Sequence, residues 1–181
     1  TKNWDRPTTT KNKIAPKIKL IPIASGAKTP RMARPSRIPV WLPWDQRVIY
    51  FVTICVENRR RVLDNPRAFA SFRESISALD QWNFSAGILM PDHLHILISP
   101  HDRDASVKQY SKLLKRLWRM DLQAGWKFQE GCFDRLLRKE ETAQQKWFYM
   151  RENPVRAGLV ARWEDWPYSI HLLPENPNEN L

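Results

Sequence analysis

Cysteine is scarce in this chain: its two copies, Cys55 and Cys132, are too few for a disulfide framework. No CxxC spacing exists either, which excludes the common cysteine-built zinc sites. Both cysteines stand in apolar or mixed runs and read as small buried side chains. Long hydrophobic runs are also missing, and nothing approaches the ~20 apolar residues that span a bilayer. The N-terminal stretch is polar and broken by prolines, unlike the apolar core of a secretory signal. These absences lead to the expectation of a cytoplasmic setting with no membrane partner. Acids are in short supply: 19 Asp+Glu face 30 Lys+Arg, a net charge of +11 over 181 residues. Such a surplus suits a polyanion, nucleic acid first, but by itself it specifies neither fold nor chemistry.

The length suits one compact domain with a tail. Residues 1–43 read as a flexible basic, Pro-rich arm. Lys and Arg are spread among prolines and threonines there, no periodicity holds, and Asp5 is the only acid before Asp45. Its charge can add phosphate contacts, or simply solubilise the chain. Residues 44–172 read as the folded domain and 173–181 as a C-terminal tail.

Within the domain, Val48–Val56 is β-branched and aromatic, a strand buried on both faces. Pro66 opens a helix that carries Phe69, Phe72, Ile76 and Leu79 at helical spacing as far as about Gln81. Phe84–Met90 and His93–Ser99, joined by Pro91-Asp92, are too close for a crossover and form an antiparallel hairpin. Ser106 caps an amphipathic helix with Val107, Tyr110, Leu114, Leu117 and Trp118 on one side and a basic outer face. Cys132–Arg138 reads as a short strand. A third helix runs from Glu140 to about Asn153, ended by Pro154. The order β-α-β-β-α-β-α predicts an α+β fold of the ferredoxin-like, RRM-like split βαβ kind. One antiparallel sheet would carry its helices on one face, with the last helix near the C-terminus.

In His93-Leu94-His95, residues two apart on a strand share a face, with Cα atoms roughly 6.5–7 Å apart. Two imidazoles so spaced can converge on a divalent ion, although paired histidines also stand on sheet faces without any metal. Leu94 points the other way, toward a core. Tyr149 and Asn153, four apart, project from one helical face. Asn153 can offer an oxygen ligand, and Tyr149 a hydroxyl nucleophile for a substrate on the same ion; equally, Tyr149 can be a packing aromatic. Attack by a phenol on a phosphodiester keeps the bond energy in a covalent phosphotyrosine for later rejoining. Tyr110, on the apolar side of its helix, reads as core. Glu152 lies about 100° away from Asn153 around the helix. His101 and His171 read as loop or surface residues outside any strand pairing. Arg59, Arg60, Arg61, Lys112, Arg138 and Lys139 are candidate phosphate contacts, or a solvated charged edge.

Four segments carry a more specific resemblance. Met90–Ile98, with its His-Leu-His triplet, looks like the HUH strand of single-tyrosine transposases. Phe128–Arg138 resembles the segment before their catalytic helix, and Phe148–Val160 the end of that helix in the REP-associated tyrosine transposases. Trp163–Ser169 completes the pattern, which runs in order from about Arg47 to Ser169. The resemblance implies that His93, His95 and Asn153 hold Mg2+ or Mn2+, and that Tyr149 becomes joined to the 5′-phosphate of cleaved DNA. It further implies single-stranded substrates beside imperfect, REP-like hairpins, a monomer more readily than a dimer, and a prokaryotic, nucleoid-associated setting. Pro43-Trp44-Asp45-Gln46 departs from the Gly-rich entry that relatives often place before the first strand. Two rival readings are a domesticated, non-catalytic hairpin-DNA module on the same fold and an RNA-binding domain of RRM type. The RRM reading requires stacking aromatics on the central strands, where this chain offers two histidines.

Overall fold

The structure, a computed structural model, describes residues 48–102, 104–137 and 142–173; the basic arm lies outside the described residues. Among the described residues five strands and four α-helices follow in the order β1 (Tyr50–Cys55), α1 (Pro66–Ser77), β2 (Trp82–Met90), β3 (His93–Pro100), α2 (Val107–Leu122), β4 (Phe133–Leu136), α3 (Ala143–Arg151), α4 (Asn153–Arg156) and β5 (Ser169–His171). The strands form one sheet in the order β4-β1-β3-β2-β5, every neighbouring pair antiparallel. This is the expected split βαβ core with one more strand on its edge. Among the described residues no helix is long and apolar enough to cross a membrane.

Local chemistry accounts for the helix ends. The Asn65 side chain accepts from the Ala68 amide at 2.9 Å, and Pro66 fills a first-turn position where a missing N–H costs nothing. Ser106 caps α2 through the Gln109 amide, as its sequence position predicts. Helix α3 starts later than Glu140: Thr142 and Gln145 make a reciprocal capping box, with bonds of 3.0 and 3.1 Å. Pro154 does not stop the helical path. It stands in the first turn of α4, which continues to Arg156 before Gly158, at φ +67°, turns the chain away.

Strand alternation sorts the core into two layers. Val52, Ile54, Leu94, Ile96 and Ile98 face α1 and α2, where Phe72, Leu114 and Trp118 are fully buried. Trp118 ties the two helices together, its indole N–H donating to the Ala68 carbonyl at 2.9 Å. Ala86, Ile88 and Leu97 face the other way, against Trp147 and Met150 of α3 and against Trp166. The expectation of all helices on one face is therefore corrected: α1 and α2 share one face, and α3 covers the opposite one. The Trp166 indole donates to the Leu89 carbonyl at 2.9 Å, which pins the C-terminal segment to the sheet.

Strand β5 was not expected. Its Ser169, Ile170 and His171 pair with Ile88, Gly87 and Ala86, so His171 is a strand residue, and its ring stacks on Trp147 at 4.8 Å. Gly87 stands where neighbouring side chains crowd the backbone. A Cβ there would come within 2.8 Å of the Phe84 ring and 3.2 Å of Ile96.

Candidate active site

The β3 alternation that sends Leu94 and Ile96 into the α1/α2 core turns His93 and His95 to the face that α3 covers. Their rings stand edge to face, 4.8 Å between centroids. Each ring is oriented through Nδ1. His93 Nδ1 lies 2.6 Å from Asp92 Oδ1, and the other carboxylate oxygen of Asp92 pairs with Arg59 Nε at 2.9 Å. His95 Nδ1 lies 2.8 Å from the Thr53 hydroxyl, brought alongside by the register that pairs Thr53 with His95. With both Nδ1 atoms engaged, Nε2 is the ring nitrogen left to each histidine for a ligand. Burial, then the charges of His93, Arg59, Lys146 and Arg156, push His95 down to about 3. The ring is neutral at neutral pH, the form that binds metal.

Helices α3 and α4 add the remaining candidates from above this face. Phe51 stacks on His95 at 5.1 Å, and the Lys146 ammonium sits 4.8 Å from the Phe51 ring and 5.0 Å from the Tyr149 ring. The Arg156 guanidinium lies 4.6 Å from the Tyr149 ring centroid. Arg156 also donates to the Tyr149 carbonyl at 2.8 Å and to Asn153 Oδ1 at 2.7 Å. Tyr149, 53% exposed, thus stands on the histidine side of the sheet, reached from His95 through Phe51 and Lys146.

Among the described residues no group of three His, Cys, Asp or Glu could hold a metal ion, and the third ligand expected from the sequence is Asn153. Its chemistry fits. The carboxamide oxygen has a second lone pair beyond the one Arg156 engages, and its buried Nδ2 finds no hydrogen-bond partner, so no bond at nitrogen locks the group. Two imidazoles and an amide oxygen form a mixed nitrogen–oxygen donor set for a divalent ion.

The basic candidates separate. Arg59 is exposed but engaged by Asp92 and Cys55, at 2.9 Å from each. Arg60 and Arg61 are exposed, the latter 3.7 Å from Asp64. Lys112 is exposed on α2, behind the sheet from the histidines, in a basic groove with Lys108, Arg116 and Lys127. Arg138 and Lys139 lie outside the described residues. Tyr110 is buried against Trp82 in the α1/α2 core, and desolvation pushes its phenol well above its ordinary range. His101 is a loop residue bonded to Asn83 at 3.0 Å.

Sequence reasoning missed Thr53, Asp92, Lys146 and Arg156 as site residues. Helical spacing was an available signal for the last two, since Lys146 precedes Tyr149 by three and Arg156 follows Asn153 by three.

Fold and site together define a ferredoxin-like α+β protein with an oriented histidine pair under a tyrosine-bearing helix. Comparison with known proteins agrees with the resemblance in the sequence. A Haemophilus influenzae protein named for the REP-associated tyrosine transposases is 26% identical over 137 residues, covering 67% of this chain and 78% of that protein. A REP-associated tyrosine transposase solved bound to a REP hairpin superposes with a TM-score of 0.57, at 20% identity. The superposition covers 67% of this chain and 74% of that one. No family model matches the chain. The chain is similar to the REP-associated tyrosine transposases in sequence and shares their fold.

Proposed function

We propose that this protein cleaves and rejoins single-stranded DNA beside palindromic, REP-like hairpins, with Tyr149 as nucleophile. The observation that carries the reading is the exposed Tyr149 hydroxyl-bearing ring set between two cations, Lys146 and Arg156, on the same sheet face as His93 and His95. The hairpin substrate follows the solved relative, which was bound to one.

In the proposed step the Tyr149 oxygen forms a bond to phosphorus as the bond from phosphorus to the 3′ oxygen breaks. The phenol proton ends on that oxygen, leaving a 3′-hydroxyl and a 5′-phosphotyrosine. Rejoining runs the same exchange backwards with a 3′-hydroxyl as attacker. Lys146 and Arg156 supply positive charge where the phosphoryl oxygens gain negative charge. His93, His95 and Asn153 would hold Mg2+ or Mn2+, which when bound polarises a phosphoryl oxygen and aligns it. Asp92 and Thr53 keep the imidazoles in the orientation and tautomer needed for that task. A monomer acting in a prokaryotic, nucleoid-associated setting is part of the same proposal.

One observation favours a second reading, a non-catalytic hairpin-binding module: Arg156 already holds the oxygen of Asn153. The two readings part in one experiment. Incubated with Mg2+ or Mn2+ and a hairpin carrying single-stranded flanks, the nuclease forms a protein–DNA adduct that survives denaturation, and the module binds without forming one.

A further inference from the structure

We infer that the groove between β4 and α3 receives one unpaired base of the cleaved strand, stacked on Phe133, beside the phosphate that Tyr149 attacks. The inference rests on the proposed function and adds a contact to it.

Phe133 is 68% exposed on a four-residue edge strand. A single exposed apolar residue is ordinary on a protein surface. The neighbourhood here is not. Phe133 pairs with Thr53 across β1, and Thr53 pairs with His95 across β3. Paired residues of antiparallel strands point to the same face, so Phe133, Thr53 and His95 form one row on the candidate catalytic face. Between that row and α3 runs a groove of about 400 Å³, whose lining includes Phe51, Thr53, Phe133, Arg135, Lys146 and Tyr149. Two exposed aromatic rings therefore share a groove with an ammonium group.

That combination matches single-stranded nucleic acid. Base faces stack on aromatics while the linking phosphates follow cations, whatever the base sequence. A duplex fits poorly, because its bases present only edges to a groove wall. The edge position also matters: among the described residues no further strand lies beyond β4, so a base can enter from the side of the sheet. Lys146, between Phe51 and Tyr149, is placed to meet the phosphate that joins this base to the reacting position.

The test measures metal-free binding of the full chain to a hairpin with single-stranded flanks, by fluorescence anisotropy. Flank bases are replaced one at a time by abasic residues. In the native protein one abasic position is expected to weaken binding roughly 10- to 100-fold, the range of a lost base–aromatic stack. In Phe133→Leu the intact flank binds that much more weakly, and the same abasic change then costs nothing more. Phe133→Trp restores the native pattern. Because the ring is exposed, melting midpoints are expected to stay unchanged, and the Trp variant gives a second reading if Leu does not fold. An equal cost of every abasic position in native and Leu proteins, or no loss in either Phe133 variant, overturns the inference. If the adduct forms while the abasic pattern ignores Phe133, the base site alone falls. If the pattern depends on Phe133 but no adduct forms, the nuclease reading falls.

Discussion

Replacing Thr53 with Val removes one atom of consequence, the hydroxyl 2.8 Å from His95 Nδ1. The ring stays held by its stack on Phe51 and by its edge contact with His93, so the fold has little reason to change. What is lost is the bond that fixes which nitrogen carries the proton and how the ring is aimed. Leaving a part-buried ring nitrogen unpartnered costs about 1–3 kcal/mol, unless the ring turns to recover a bond. Turning spoils the direction of Nε2. Removing such a supporting partner typically lowers metal affinity about 10- to 100-fold, equivalent to about 1.4–2.8 kcal/mol. Calorimetric titration with Mn2+ of native protein, Thr53→Val and Thr53→Ser separates the effects, since Ser keeps the hydroxyl and should bind nearly as the native protein does. Native-strength Mn2+ binding by the Val variant would refute the reasoning.

Other perturbations follow from the same packing and charge. Trp118→Phe removes the indole bond to the Ala68 carbonyl and part of a fully buried ring, and should cost about 2–4 kcal/mol of unfolding free energy, read from urea denaturation. Gly87→Ala forces the Phe84 ring to move and should lower the melting midpoint, an effect absent if that ring has room to swing. His95, pushed down to about 3 in the folded protein, takes up its proton first in the unfolded chain, whose histidines titrate near 6.5. Its contribution to stability is thus present above about pH 6.5 and lost as pH falls toward 3. In metal-free buffer, His95→Gln should therefore lose stability less steeply than native protein between pH 6 and 4. The slope difference approaches about 1.4 kcal/mol per pH unit, and parallel curves would contradict it.

The alternation of His93, Leu94 and His95 was legible because a strand's period of two needs no partner to be read, and Leu94 is fully buried as that alternation requires. The Ser106 cap of α2 and the place of Pro66 in the first turn of α1 were legible for the same reason, being local. The side of the sheet taken by α3 was not. Only Trp147 and Met150 of that helix are buried, too few to distinguish one sheet face from the other, and the choice is made by Ile88, Leu97 and Trp166 from distant parts of the chain. Strand β5 escaped because three residues carry no period, and it is a strand only through its pairing with β2. Thr53 escaped as a site residue because it meets His95, 42 residues away, through the sheet register. Asp92 lies next to His93 in sequence, but its role depends on Arg59, which the chain folds back through a turn with positive φ at Asn58 and Arg59.

The central claim is tested most directly by mass spectrometry of the denatured protein after incubation with Mn2+ and a flanked hairpin. The prediction is a nucleotide-bearing peptide modified at Tyr149, with Tyr149→Phe giving no adduct while binding the hairpin with nearly native affinity. DNA cleavage that persists in Tyr149→Phe, or an adduct mapped to another residue, would contradict it.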